Sequence, residues 1–251
     1  MYLPLKRKLP NITSKIPPIA AMAVILLGWE VVSISGIVPS YMLPSPVAVL
    51  TALFGDLPTI LFHAKFTLLE SFYGLLIGIA LAFVFATMMD RFRVMDQAFY
   101  PIMIITQTIP TIAIAPILVL WMGFGMAPKI LTVVLMCFFP VAVSFADGLQ
   151  RVDEEYVHLV RSYGADRWKA YCLVKIPAAL PELFSGLKVA ATYSISGAVV
   201  GEWLGSQKGL GYYLLRVKNS YMLDKVFACV VVIILLSLAM NGLIRVIAMV
   251  S

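Results

Sequence analysis

Three carboxylates stand where a charge is costly. Glu30, Glu70 and Glu202 fall within or at the ends of long apolar stretches, and an ionisable group in hydrocarbon must face a cavity or a partner. Proton or cation handling is one chemistry open to them, and bonding between helices is another. For Glu30 and Glu70 the expected role is interfacial placement or a helix–helix hydrogen bond. Glu202 lies in GAVVGEWLGSQKGLGYY, among glycines 197, 201, 205, 209 and 211, which permit close packing or a hinge. It is expected at an outer gate or its support, or as a structural cap. A second polar constellation, TQTIPTIAIAP, carries Gln107, Thr108, Pro110, Thr111 and Pro116. Proline frees backbone carbonyls, and Gln and Thr offer neutral hydrogen bonds. With Ser194 and Ser196 these residues describe either the lining of a passage for something polar but weakly charged, or glue between helices.

Other chemistries find no support. Cys137, Cys172 and Cys229 are scattered without a CxxC, and His63 and His158 have no metal-site spacing relative to them; all five are expected to be packing residues. No GxxxxGK[ST] phosphate loop occurs, so ATP hydrolysis by this chain alone is not expected. No nucleophile–base pair suggests an enzyme.

The elements that must hold these residues are membrane helices. Only 13% of the 251 residues are charged and 61% are hydrophobic, against about 25% charged in soluble domains; the mean hydropathy is +0.96. Apolar runs long enough to cross a core roughly 30 Å thick predict six spans, at 18–38, 66–89, 99–122, 128–148, 184–204 and 226–248. They lack the alternation of a transmembrane barrel, so an all-α bundle is expected. Residues 1–17 form a basic N-terminal segment and 18–248 the transmembrane domain, with the first span a retained helix rather than a cleaved signal peptide. Thirteen of the 19 Lys and Arg fall on the side of the N-terminus, which predicts both termini in the cytoplasm. The net charge of +6 belongs to this topology signal and not to nucleic-acid binding. Between the first two spans, prolines at 39, 44, 46 and 58 predict a bend and a short amphipathic interfacial helix.

One link is too polar to insert and too patterned to be a tether. In the elbow, residues 150–178, Asp153 can cap a helix whose first turn carries Glu154 and Glu155, ending at Gly164. Asp166 can cap a second short helix bearing Trp168, Tyr171 and Cys172, with Pro177 and Pro181 expected to stop it. Such short helices are marginal in water. Their aromatic and apolar side chains, Tyr156, Val160, Tyr163, Trp168 and Tyr171, fit either a partner protein or the chain's own helix ends.

The spacing from Gly164 over nine residues to Val174-Lys175-Ile176-Pro177 resembles the cytoplasmic signature of binding-protein-dependent ABC transporter permeases: Glu-Ala-Ala, three residues, Gly, nine residues, Ile-x-Leu-Pro. The stretches LPSPVAVLTAL, IPTIAIAPILVLWMGFGMAPKI and GLGYYLLRVKNSY, with the run from Asp153 to Gly205, are similar to the nitrate/sulfonate/taurine branch of that family, and the likeness is collinear over nearly the whole chain. The departure is His158-Leu159-Val160 in place of Glu-Ala-Ala. It puts the family's Glu contact in doubt, with His158, Glu154 or Glu155 as substitutes.

The resemblance implies a type I importer permease of six transmembrane helices in a bacterial inner membrane. It implies two copies of a separate ATPase that hold the ATP and magnesium, a second permease chain, expected to be identical, and an extracytoplasmic binding protein. The ATPase-coupling residues would be Glu154, Glu155, Tyr156, His158, Arg161, Tyr163, Gly164, Ala165, Asp166, Trp168 and Pro177. Gln107, Thr108, Pro110, Ser194, Ser196 and Glu202 would belong to the pathway or its gate. Within the branch the chain looks most like permeases for pyrimidine precursors of thiamine, with sulfonates, taurine or nitrate next, and riboflavin after them. The rival reading is an ion-coupled secondary transporter using Glu70 or Glu202, against which stands the lack of repeated halves.

Overall fold

The structure is a computed structural model that describes residues 16–39 and 41–250, so the expected N-terminal segment 1–17 lies almost wholly outside the described residues. Its regular elements are helices: α1 (Ile16–Ile34), α2 (Pro46–Gly55), α3 (Leu57–Arg91), α4 (Arg93–Thr106), α5 (Thr111–Met122), α6 (Ala127–Gln150), α7 (Glu154–Ser162), α8 (Arg167–Ala170), a π-helical turn (Tyr171–Lys175), α9 (Ile176–Glu202), α10 (Leu210–Asn219) and α11 (Leu223–Val250). Five stretches are long and apolar enough to cross a membrane, α8 to α9 counting as one, with a sixth where the bent pair α4–α5 counts as one span.

The chain divides into two compact bodies. The smaller holds the described residues up to Asp56 together with Val217–Ala228. Within it the Trp29 indole donates to the Pro44 carbonyl at 3.0 Å and Ser33 to Leu43 at 3.0 Å, while Lys225 pairs with Asp56 at 3.2 Å. α1 buries none of its residues; Ile19 and Leu27 point outward, as lipid-facing side chains do. Glu30 on α1 keeps a buried Oε2 without a hydrogen-bond partner among the described residues.

The larger body is built around α6, which packs against α3 on one side and α9 on another. Its core joins Leu75, Ala82 and Ala86 of α3, Val133, Cys137, Val141 and Phe145 of α6, and Ala179, Ala190, Ala191 and Ile195 of α9. Lipid tails are as apolar as these side chains, so close contact rather than water expulsion holds such helices together. Gly74 and Gly78 on α3 and Gly197 and Gly201 on α9 are spaced by four residues and lay bare backbone against α6. A Cβ on Gly78 would meet that of Cys137 at 3.1 Å, and one on Gly201 would meet the Lys129 Cα at 3.0 Å.

Three sequence expectations need correction. The third span is not one helix: α4 and α5 meet at 103°. Pro110 has no N–H to continue the helix and disfavours helical geometry at Ile109, so the chain closes with tight turns, Thr108 N to Ile105 O and Ile109 N to Thr106 O. The short helix expected after the first span is present, but the second span starts earlier than 66. Only α2, capped by Ser45 Oγ on Ala48 N at 3.2 Å, is a separate short helix. α3 begins at Leu57, with Pro58 harmless in its first turn, and runs for 35 residues. The prolines at 177 and 181 do not stop the elbow's second helix. Ile176 N reaches back five residues to the Tyr171 carbonyl. This wider turn leaves room for Pro177 at the start of α9, so one helical rod leads from the elbow to Glu202.

Candidate functional site

The larger body carries a polar region toward each end of α3. Toward its N-terminal end, His63, Thr67 and Glu70 share one face at helical spacing and all are buried. Thr67 donates to Glu202 Oε1 at 2.7 Å and accepts from Leu210 N at 2.8 Å. Gly211 N donates to Glu202 Oε2 at 2.5 Å, and Gly209 N to His63 Nδ1 at 3.1 Å. Three consecutive backbone N–H groups at the start of α10, orphaned in any helix N-terminus, thus each receive a side-chain acceptor from α3 or α9. Gly209, at φ +107°, is required there because a Cβ would fall on the Glu202 carboxylate. Beside this cap, Lys129 of α6 binds Glu70 Oε1 at 2.8 Å, while Glu70 Oε2 has no hydrogen-bond partner among the described residues.

These contacts give two of the three carboxylates partners inside the chain. Glu70 is a helix–helix ion pair rather than an interfacial group. Glu202, 1% exposed, acts as the structural cap of α10. The sequence reading missed Lys129 as a partner, and His63 proves to be an acceptor as well as a packing residue. The signal was present in the spacing of His63, Thr67 and Glu70.

The second region is the elbow. Asp153 Oδ1 accepts from Glu155 N at 3.0 Å and Asp166 Oδ1 from Lys169 N at 2.7 Å, so both expected caps form. Gly164 adopts φ +91°, the left-handed region where a side chain is strained, and ends α7 as expected, with Ala165 at the bend that follows. α7 buries no residue, and Tyr156 on it, Tyr163 at its end and Trp168 on α8 are 59%, 86% and 68% exposed. Glu154, His158 and Arg161 line a cleft with Asp90, Arg91, Arg167, Tyr171 and Lys175, whereas Glu155 lies outside it. His158 and Cys172 are exposed, which corrects their reading as packing residues; Cys137 and Cys229 are buried. Lys175 Nζ donates to both carboxylate oxygens of Asp90, at 2.7 and 2.9 Å, a pair that spacing could not reveal across 85 residues.

The candidate pathway residues do not converge on one site. Gln107 and Thr111 line a cavity of about 420 Å³ with Thr106, Phe139, Pro140 and Tyr193. Pro110 sits at the helix break beside it. Thr108 donates to Ile105 O at 2.7 Å, closing the turn after α4, and Ser194 donates to Ala191 O at 2.9 Å within α9. Ser196 is exposed, and Glu202 belongs to the α10 cap.

Residues 74–248 match the family described as the binding-protein-dependent transport system inner membrane component. The chain belongs to that family. A probable ABC transporter permease of Haemophilus influenzae is 37% identical, over 89% of this chain and 91% of its own length. The formylaminopyrimidine transport permease protein ThiX of Halalkalibacterium halodurans is 34% identical, over 88% of each. A crystal structure of an amino acid ABC transporter with histidines shares the fold, with a TM-score of 0.63 over 80% of this chain and 98% of that one at 15% identity. This permease is therefore a multi-pass membrane subunit of an ABC importer for small solutes, and a transport component rather than an enzyme.

Proposed function

We propose that α7 and α8 are the joint through which an ATPase subunit drives this permease, and that a thiamine-precursor pyrimidine is its cargo. The observation that carries the reading is the bare aromatic surface of Tyr156, Tyr163 and Trp168. Tyr156 lies on α7 and Tyr163 caps its end, a helix of nine residues that is too short to persist in water unsupported, while Trp168 stands at the outer tip of the rod that runs on to Glu202. A groove on a partner would cover them. Glu154, Glu155, His158, Arg161, Ala165 and Asp166 would surround that contact, and Pro177 would set the start of the rod behind it.

The assembly that fits has two ATPase copies beneath two copies of this chain, ATP and magnesium on the ATPases, and a binding protein on the outer side. Both termini and the elbow are cytoplasmic in this arrangement, which the Lys and Arg distribution supports. ATP-driven closure of the ATPases would pull the elbows together and rock the bundles from inward- to outward-facing. Gln107, Thr108 and Pro110 at the α4–α5 break would line the pathway from the 420 Å³ cavity. Ser194, Ser196 and Glu202 would support the moving helices.

A pyrimidine is favoured because the polar groups in that cavity, Thr106, Gln107, Thr111 and Tyr193, are neutral, and because the name of the H. halodurans relative specifies such a cargo. Sulfonates, taurine and nitrate come next. The test is uptake into proteoliposomes holding the permease, its ATPase and its binding protein, with labelled formylaminopyrimidine and taurine as cargo. ATP-dependent accumulation of the pyrimidine is expected, and Gly164→Trp should leave insertion intact while cutting uptake at least tenfold. Taurine uptake alone would overturn the cargo, and unchanged uptake by Gly164→Trp would overturn the joint.

A further inference from the structure

The elbow is continuous with α9, so a pull on it enters that helix through covalent chain. α3 has no such route. It is the other helix packed broadly on α6, and it carries His63, Thr67 and Glu70, which hold α10 and Lys129 toward its other end. α3 also packs directly on α9, and at the elbow itself the two are pinned by charge: among the described residues, Lys175–Asp90 is the one ion pair of the larger body that joins the π-turn to the last residues of α3.

Several features suit this pair to carry displacement. Asp90 is nearly sealed, its side chain 5% exposed, and both oxygens are engaged. An ammonium beside a helix C-terminus also meets the negative end of its dipole, so α3 holds Lys175 by more than one charge. On the elbow side, the exposed Trp168 ring lies parallel to Tyr171, centroids 6.2 Å apart with 10° between the planes, and Lys175 Nζ lies 5.9 Å from the Tyr171 ring. A contiguous path of side chains thus leads from the surface where a partner would sit to α3. Stability alone does not explain the pair, because a buried ion pair roughly breaks even against an apolar pair of the same volume.

We infer that the Lys175–Asp90 pair is the link that makes α3 follow the elbow, so that Lys175 and Asp90 are positioning residues for coupling and not contacts to cargo or ATPase. This inference rests on the proposed role of the elbow as the ATPase joint. α3 is a stiff helix, and the 20 residues from Asp90 to Glu70 span about 30 Å at 1.5 Å per residue. Displacement at the elbow would therefore arrive at the polar cluster at the far end, where α3, α6, α9 and α10 meet.

The complete transporter in nanodiscs or proteoliposomes, with its ATPase and binding protein, provides the test, read as solute transported per ATP hydrolysed. Asp90→Asn and Lys175→Met should retain ATPase co-purification and hydrolysis while the ratio falls at least fivefold. Lys175→Arg should keep the ratio within twofold, and the exchange Asp90→Lys with Lys175→Asp should recover most of it. An unchanged ratio in both single variants overturns the inference, as does a lowered ratio that neither the Arg variant nor the exchange preserves. Loss of ATPase co-purification in the single variants also overturns it, since the pair would then be part of the docking surface. Should the single variants not accumulate, hydrogen exchange on the unaltered complex decides: ATP should change protection in residues 86–91 together with 168–176, and a change confined to 168–176 sinks the link. If the unaltered permease never retains the ATPase, the elbow reading itself has failed, an outcome distinct from all of these.

Discussion

Two polar regions lie about 30 Å apart on one helix of this permease, and they are built on opposite terms. In the region around Glu70 and Glu202 the charged and polar groups are buried and nearly all engaged inside the chain. In the elbow, helix caps and the Lys175–Asp90 pair are satisfied, while Tyr156, Tyr163, Trp168, His158 and Arg161 remain exposed. Groups already bonded at home hold a fold together. Groups left exposed at the elbow are free to meet something else, which is why the elbow rather than the membrane carboxylates attracts the functional reading.

The contrast can be broken at three places. The largest effect is expected from Lys129→Met, which leaves Glu70 buried without its cation. Removing one partner of a buried pair costs about 3–5 kcal/mol, so thermal unfolding in detergent should fall steeply, and Glu70→Leu combined with Lys129→Met should recover much of the loss. If Lys129→Met melts like the parent, the sealed region is not structural.

A smaller loss is expected from Thr67→Val. It removes the hydroxyl that bridges Glu202 and Leu210 N and leaves a buried N–H unpaired, at about 1–3 kcal/mol. Hydrogen exchange should show that cost as faster exchange confined to the start of α10 and the loop before it.

The smallest change in stability should come from Trp168→Ala. An exposed side chain away from special backbone geometry is worth within about 0.5 kcal/mol, so melting should not move, yet co-purification of the ATPase should weaken measurably. A destabilised Trp168→Ala permease with undiminished ATPase binding would show that the elbow packs on its own chain.

The elbow was legible from sequence because its signals are local. Asp153, Gly164 and Asp166 act within a few residues of themselves, through side-chain caps and a left-handed turn, and each does what its residue type predicts. The span count was legible too, from hydropathy and length. The break at Pro110 was visible as a proline, but its 103° angle depends on how α5 packs against α6. The continuation through Pro177 was misread because a π-turn opens only when the surrounding helix holds it.

Glu202 shows the limit most plainly. Its glycine-rich surroundings pointed equally to a gate and to a cap. Its bonds to Thr67, 135 residues away, and to Gly211 show it capping the start of α10. By itself the sequence determined a helical membrane bundle, the elbow with its caps and a likeness to one transporter family, since all of these follow from composition and short-range spacing. Only the tertiary structure decided which charges are bonded to one another, because ion pairs such as Lys129–Glu70 and Lys175–Asp90 form between residues that chain order keeps far apart and packing alone brings within 3 Å.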